Sequence, residues 1–165
     1  MAARVPRAAV ITVSSSRAAG GSSPDESGER LAAFALAIGA ELAGRDLVPD
    51  DRDRIEERLR HWADAERCDL VLTTGGTGFA VSDVTPEATR AAIDRDAPGI
   101  AEAMRAASRE HTQHWMLSRA VAGIRGATLI VNFPGSPRAI EEAGAAIAPA
   151  LPHALALLGG TAAEH

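Results

Sequence analysis

A three-layer α/β/α domain, with a mainly parallel central sheet and helices on both faces, is the fold class this sequence predicts, and three features predict it. Residues 8–13 (AAVITV), 70–73 (LVLT) and 128–133 (TLIVNF) are short apolar runs, the pattern of strands covered on both sides. Stretches with apolar residues at helical spacing separate them, and strands that alternate with helices favour a parallel sheet. Two of the runs open straight into TGGTG at 74–78 and PGSP at 134–137, so glycine and proline fall where a strand hands over to a loop.

The run at 8–13 is a central strand, and the serine- and glycine-rich residues 14–24 after it are a loop. Residues 25–38 place Leu31, Phe34, Ala35 and Ile38 on one helical face, with Gly39 as the stop. Residues 40–48 supply a second strand that Gly44-Arg45-Asp46 makes irregular, which puts it at an edge, and Pro49 ends it. A helix over 51–67 follows, with Ile55, Leu59 and Trp62 on one face. Beyond the strand at 70–73, helices are predicted over 86–95 and 99–109, divided by Pro98. Thr85-Pro86-Glu87 begins the first of them with an N-cap residue, a proline at the first helical position and an acid in the first turn. After the strand at 128–133, Ser136 can cap and Pro137 can start a terminal helix. The loops at 74–78 and 134–137 then open on the same edge of the sheet.

With 165 residues the chain reads as one domain, 1–165, large enough to bury a core without staples. Aromatic residues make up only 3%, so that core must be packed from alanine, valine, isoleucine and leucine. Seventeen basic against twenty-two acidic residues leave a net charge of −5, which argues against a surface that tracks nucleic acid. All seventeen basic residues are arginine. A Schiff-base lysine and a Walker A loop are therefore excluded, and any phosphate must be met by arginines, backbone amides and a metal ion. Cys68 stands alone, which excludes an intrachain disulfide and a cysteine-rich zinc cluster. The opening MAARVPRAAVITV has a shorter apolar run than a signal-peptide core, and nothing nears the ~20 residues that span a bilayer. A cytoplasmic protein that does not enter a membrane is expected.

Gly75, Gly76 and Gly78 have no Cβ, so their amides can approach a phosphate or a flat heterocycle closely, and Thr77 adds a hydroxyl. The other reading of this loop is a tight strand-to-helix turn. Asp50 and Asp83 each follow a predicted strand; if those strands are parallel neighbours, the two carboxylates converge and suit Mg²⁺ bound between protein and phosphates. As single residues, Asp50, Asp51 and Asp83 are ordinary caps. Glu87 is read as a first-turn acid that complements the helix dipole. Ser14, Ser108 and Ser136 offer hydroxyls that can equally serve local turns and caps. Arg119 and Arg125 are phosphate partners or surface ion pairs, and His111 with His114 reads as a polar turn rather than a metal pair.

TTGGTGFAVSDVTPEAT at 73–89 resembles the signature of the MogA/MoaB family of molybdenum-cofactor biosynthesis proteins. Asp25-x-Ser27-Gly28, Val48-Pro49-Asp50-Asp51 and LSRAVAGIRGATLIVNFPGSP at 117–137 are similar to that family too, in its order, so the resemblance covers about 8–158. It implies that AMP passes from MgATP to the terminal phosphate of molybdopterin with release of pyrophosphate. The alternative is a molybdopterin-binding or carrier protein without efficient ATP chemistry. Carried over residue by residue, the resemblance makes Asp50 and Asp83 catalytic and Mg²⁺-holding. It assigns Ser14, Gly75, Gly76, Thr77, Gly78 and Ser108 to molybdopterin, and Pro134, Gly135 and Ser136 to the nucleotide. It also implies a homotrimer, or in some subgroups a hexamer, and points to the molybdate-inserting protein of the same pathway as a partner. Ser15, Ser82 and Gln113 depart from the family, which usually has aspartate, arginine and proline there.

Overall fold

In the computed structural model, which describes residues 4–161, six strands form one sheet: β1 (Arg7–Val13), β2 (Glu41–Val48), β3 (Leu70–Thr74), β4 (Arg95–Asp96), β5 (Ala122–Arg125) and β6 (Thr128–Phe133). Residues 1–3 and 162–165, the two ends of the domain expected from the sequence, lie outside the described residues. The spatial order is β2-β1-β3-β6-β5-β4. The β1–β2, β1–β3 and β3–β6 pairs are parallel, whereas β5 runs antiparallel to both β6 and β4. The predicted strands at 8–13, 70–73 and 128–133 are the central three, and 40–48 is an edge strand, as its irregularity implied. The irregularity is a bulge: Ala8 pairs with Leu42 but Ala9 with Gly44, which leaves Ala43 as the extra residue.

The helices are α1 (Ser15–Ala18), α2 (Glu26–Ala37), α3 (Arg52–Arg60), α4 (Thr85–Ala92), α5 (Pro98–Ser108), α6 (Pro137–Ile147) and α7 (Leu151–Leu158). They cover the two faces of the sheet because successive strand residues point to opposite sides. On one face Ala8, Val10, Leu70, Leu72, Leu129 and Val131 pack against Leu31 and Ala35 of α2, Met104 of α5, Ile140 of α6 and Leu151 of α7. On the other, Ala9, Ile11, Val71 and Ile130 meet Ile55 and Leu59 of α3 and Ala88 and Ala92 of α4. Each fully buried leucine or isoleucine contributes about 1.5–3 kcal/mol.

Four local departures from the sequence reading have physical causes. The helix expected over 86–95 ends at Ala92, because Ile93 turns extended (ψ 152°) and Asp94 donates its amide to the Ile124 carbonyl, which makes Arg95–Asp96 an edge strand. β5 forms a hairpin with β6 through Gly126-Ala127, with Gly126 at φ +57°, the sign that tight hairpin turns need. The helix over 51–67 is α-helical to Arg60 and widens into a π-turn at His61–Ala65. At that turn the Trp62 indole seats against Gly44, where a Cβ would stand 2.5 Å from Trp62 Cη2, and donates to Asp46 at 2.6 Å. The terminal helix is two helices, α6 and α7, separated at 148–150.

Cys68 closes this corner at 2% exposure, and burial pushes its thiol up to about 11. Since thiolate is the reactive form, Cys68 in the folded protein is expected to resist iodoacetamide at pH 8 and to label fully in denaturant. Mass spectrometry at both conditions checks this.

Candidate active site

The parallel strands β1, β2, β3 and β6 all finish at one edge of the sheet, so the segments after them, beginning at Ser14, Pro49, Gly75 and Pro134, gather there. Their contact is direct. A Cβ on Gly75 would lie 2.4 Å from the Val13 carbonyl oxygen, and one on Gly135 would lie 3.5 Å from Gly75 Cα. Thr74 Oγ1 donates to the Pro134 carbonyl at 2.7 Å, and Ser27 Oγ to the Gly135 carbonyl at 2.6 Å. Gly75 (φ +97°) and Gly76 (φ +68°) occupy the left-handed region, so glycine is required at both for backbone reasons as well as for close approach.

Asp50 and Asp83 flank this glycine loop from opposite ends. A Cβ on Gly76 would stand 3.3 Å from Asp50 Oδ1, and one on Gly78 would stand 2.9 Å from Asp83 Oδ2. The strand pairing on which the sequence reading rested their convergence is absent, because β2 and β3 are not neighbours: β1 lies between them. Asp50 instead reaches across the end of β1. Ser15 holds it there, with its amide (3.1 Å) and hydroxyl (2.8 Å) donating to Asp50 Oδ2 while the Asp50 amide donates back to Ser15 Oγ at 2.9 Å. Asp83 Oδ2 accepts the Ala80 amide at 3.0 Å. Among the described residues, Oδ1 of each carboxylate accepts no hydrogen bond, and both side chains are half-buried. No three His, Cys, Asp or Glu residues cluster as metal ligands among the described residues. Two carboxylates with one unengaged oxygen each do fit Mg²⁺, which takes one or two protein carboxylates and fills its shell from phosphates and water.

The other expected site residues are distributed around this pair. Ser14 caps α1, the one helical turn inside the expected 14–24 loop, and its hydroxyl lies 3.3 Å from that of Ser16. Thr77 is 7% exposed and its carbonyl accepts the Arg119 amide at 2.8 Å. Ser136 caps α6 by accepting the Ala139 amide at 3.2 Å. Among the described residues, no hydrogen bond joins Ser108 to the glycine loop. Ser108 donates to the Met104 carbonyl at 3.1 Å and lines a cavity of about 130 Å³ with Met104, Trp115, Ser118, Pro134 and Ala143. The Arg109 guanidinium lies 6.0 Å from the Trp115 ring at that cavity. Thr85 is not the N-cap of α4: Val84 is, and the Thr85 hydroxyl donates instead to the Gly75 carbonyl at 2.9 Å, tying the helix to the loop.

Of the two arginines, Arg125 is a surface ion pair. It grips both Asp64 oxygens at 2.9 and 2.7 Å, at the hairpin end away from the site. Arg119 is bound to the glycine loop itself. Its Nε donates to the Gly78 carbonyl (2.8 Å), its Nη2 to the Asp83 carbonyl (2.7 Å) and its Nη1 to the Glu87 carboxylate. His111 Nδ1 sits 3.5 Å from Glu142.

The Arg119 guanidinium beside Glu87 holds its carboxyl below the usual carboxylate range, and Arg125 does the same to Asp64. A depressed carboxylate stabilises the fold fully above its unfolded pKa, about 4.3 for glutamate, and that stability is lost as pH falls through the lower folded value. Glu87→Gln is thus expected to weaken the protein at pH 7 and to match it in strong acid. With the Glu87 side chain 41% exposed the difference should be no more than about 1 kcal/mol. Urea unfolding at pH 7 and at about pH 1 to 2 measures it.

The model of the family described as "Probable molybdopterin binding domain" matches residues 9–153. The chain belongs to this molybdopterin-binding family. It is 45% identical to the molybdopterin biosynthesis enzyme MoaB of Thermus thermophilus, with a TM-score of 0.88 over 94% of this chain and 98% of that one. It is 45% identical over 115 residues to a molybdopterin adenylyltransferase of Helicobacter pylori, a match that covers 70% of this chain and 65% of that protein. It is also 46% identical over 114 residues to the molybdenum cofactor synthesis protein cinnamon of Drosophila melanogaster, covering 69% of this chain and 19% of that protein. The chain therefore spans less than two thirds of the length of either of these curated relatives. As a member of the molybdopterin-binding family it keeps the three-layer fold, and no helix among the described residues is long and apolar enough to cross a membrane.

Proposed function

We propose that this protein is a molybdopterin adenylyltransferase of molybdenum cofactor biosynthesis. An oxygen of the terminal phosphate of molybdopterin bonds to the α-phosphorus of ATP, the bond from that phosphorus to the β-bridging oxygen breaks, and the electron pair leaves with pyrophosphate. The observation that carries the reading is the placement of two acids against one glycine loop, Asp50 Oδ1 beside Gly76 and Asp83 Oδ2 beside Gly78, each carboxylate keeping one oxygen free of protein donors. Its names come from the relatives that share 45% of their aligned residues with the chain.

The division of labour follows from charge. A phosphate monoester has a second pKa of about 6, so the nucleophile is largely dianionic near neutrality and needs no protein base. Asp50 and Asp83 would hold Mg²⁺, which supplies neutralising charge to the phosphates when bound. The amides of Gly76 and Gly78 orient the substrate phosphate, whereas that of Gly75 donates to the Phe133 carbonyl at 3.4 Å and shapes the turn; the 134–137 loop, pressed against Gly75, borders the nucleotide. Ser14 and Ser108 serve the pterin side, where Trp115 adds a flat apolar wall. A cytoplasmic homotrimer is part of the same proposal; the apolar hollow lined by Ile100, Ile124, Leu129 and Leu158, which a second copy would cover, supports self-association.

The test is to incubate the purified protein with molybdopterin and MgATP, beside a control stripped of divalent cation, and to weigh the pterin product. Adenylylated molybdopterin formed only with the cation supports the proposal. Bound but unmodified molybdopterin would instead favour a carrier.

A further inference from the structure

We infer that Arg119 is a positioning residue for adenylyl transfer, shaping the loop that presents Asp83; the inference rests on the function proposed above. The base of the loop from Gly76 to Val84 is closed by the Thr85 amide on the Gly76 carbonyl at 3.1 Å, but its tip, residues 79–82, is exposed throughout. Phe79 is 66% and Val81 100% exposed, so the tip contributes nothing to the core, which only Val84 at the end of the loop reaches. Within the tip, the Asp83 amide donates to the Ala80 carbonyl at 2.9 Å and the Ala80 amide to Asp83 Oδ2 at 3.0 Å, which sets a turn but not its place.

Arg119 supplies that place. Its backbone amide donates to the Thr77 carbonyl at 2.8 Å, Nε to the Gly78 carbonyl at 2.8 Å and Nη2 to the Asp83 carbonyl at 2.7 Å. One planar fork therefore joins Gly78 to Asp83, on the two sides of the tip that carries the acid. Nη1 reaches Glu87 in the first turn of α4, which ties the fork to a helix whose own start is fixed by Thr85 on Gly75. The partners in the loop are carbonyls, so no substitution on the loop can remove them. A lysine keeps the charge facing Glu87 but cannot direct N–H groups at two separate carbonyls from one plane. An arrangement that served only as a surface ion pair would accept lysine without loss.

Arg119→Lys and Arg119→Ala are compared with the parent protein for kcat, molybdopterin dissociation constant and amide hydrogen exchange. Both variants are expected to lose kcat by about 10- to 100-fold, because the acid is misplaced by a fraction of its own reach. Molybdopterin affinity is expected to fall by much less than kcat, since Thr77 and Gly78 share the loop, and exchange of the hydrogen-bonded Ala80 and Asp83 amides to rise by about tenfold or more while β1 and β3 keep their protection. If Arg119→Ala does not fold, the lysine variant alone carries the test. Parent-like kcat in Arg119→Lys, a loss confined to pterin affinity, or unchanged exchange of the Ala80 and Asp83 amides would each overturn the inference. A parent protein that makes no adenylylated product fails the proposed function itself, and the positioning role falls with it; the exchange data then still decide whether Arg119 holds the loop.

Discussion

Asp83→Asn is expected to bind molybdopterin as the parent protein does and to lose adenylyl transfer by about two to three orders of magnitude, the scale on which one charge-stabilising group acts in an enclosed site. The substitution keeps size and shape. The asparagine oxygen can still accept the Ala80 amide that Asp83 Oδ2 now accepts, so the turn survives and the amide nitrogen is left where the unengaged oxygen stood. A nitrogen bearing two hydrogens is a donor with no lone pair to offer a divalent cation. The comparison requires kcat at saturating MgATP together with a separate pterin binding curve. Turnover equal to the parent protein's under those conditions sinks the role given to Asp83.

The second large effect belongs to the backbone. Gly75→Ala should destabilise the protein by about 3 kcal/mol or more, from strain at positive φ together with overpacking. Both terms are present at once: φ is +97°, and the new Cβ would stand 2.4 Å from the Val13 carbonyl oxygen, a main-chain atom of a central strand that cannot swing aside. Gly135→Ala, a few ångströms away, provides the contrast. Its Cβ would meet Gly75 Cα at 3.5 Å, an ordinary contact, so its stability should change by less than about 1 kcal/mol. Urea titrations of both variants decide the matter, and equal midpoints would show that the loop yields more readily than its contacts imply.

Much of this architecture was legible because the residues that specify it are close together in the sequence. The unbroken apolar runs identify β1, β3 and β6, and the glycine and proline signals after β3 and β6 locate both loops. Gly44-Arg45-Asp46 marks β2 as an edge. β4 and β5 were not legible: a two-residue strand at Arg95–Asp96 has no pattern of its own, and AGIR before Gly126-Ala127 is too short to separate from loop without its partner. The turn chemistry at Gly126 was the available signal. In the site, both acids were visible from their place after strands. The devices that hold them were not, since Ser15 meets Asp50 across 35 residues and Arg119 meets Gly78 across 41. Such contacts depend on the order of strands in the sheet, and the order β2-β1-β3 differs from the neighbouring pair that the acids alone suggested.

The two tryptophans have very different surroundings. Trp62 is 8% exposed, wedged under Gly44 and bonded to Asp46, whereas Trp115 borders the cavity beside Ser108 and Pro134. Indole emission shifts with the polarity around the ring, so the native chain carries two optical reporters without any label: the enclosed one follows global melting, and the rim one follows whatever enters or leaves that cavity.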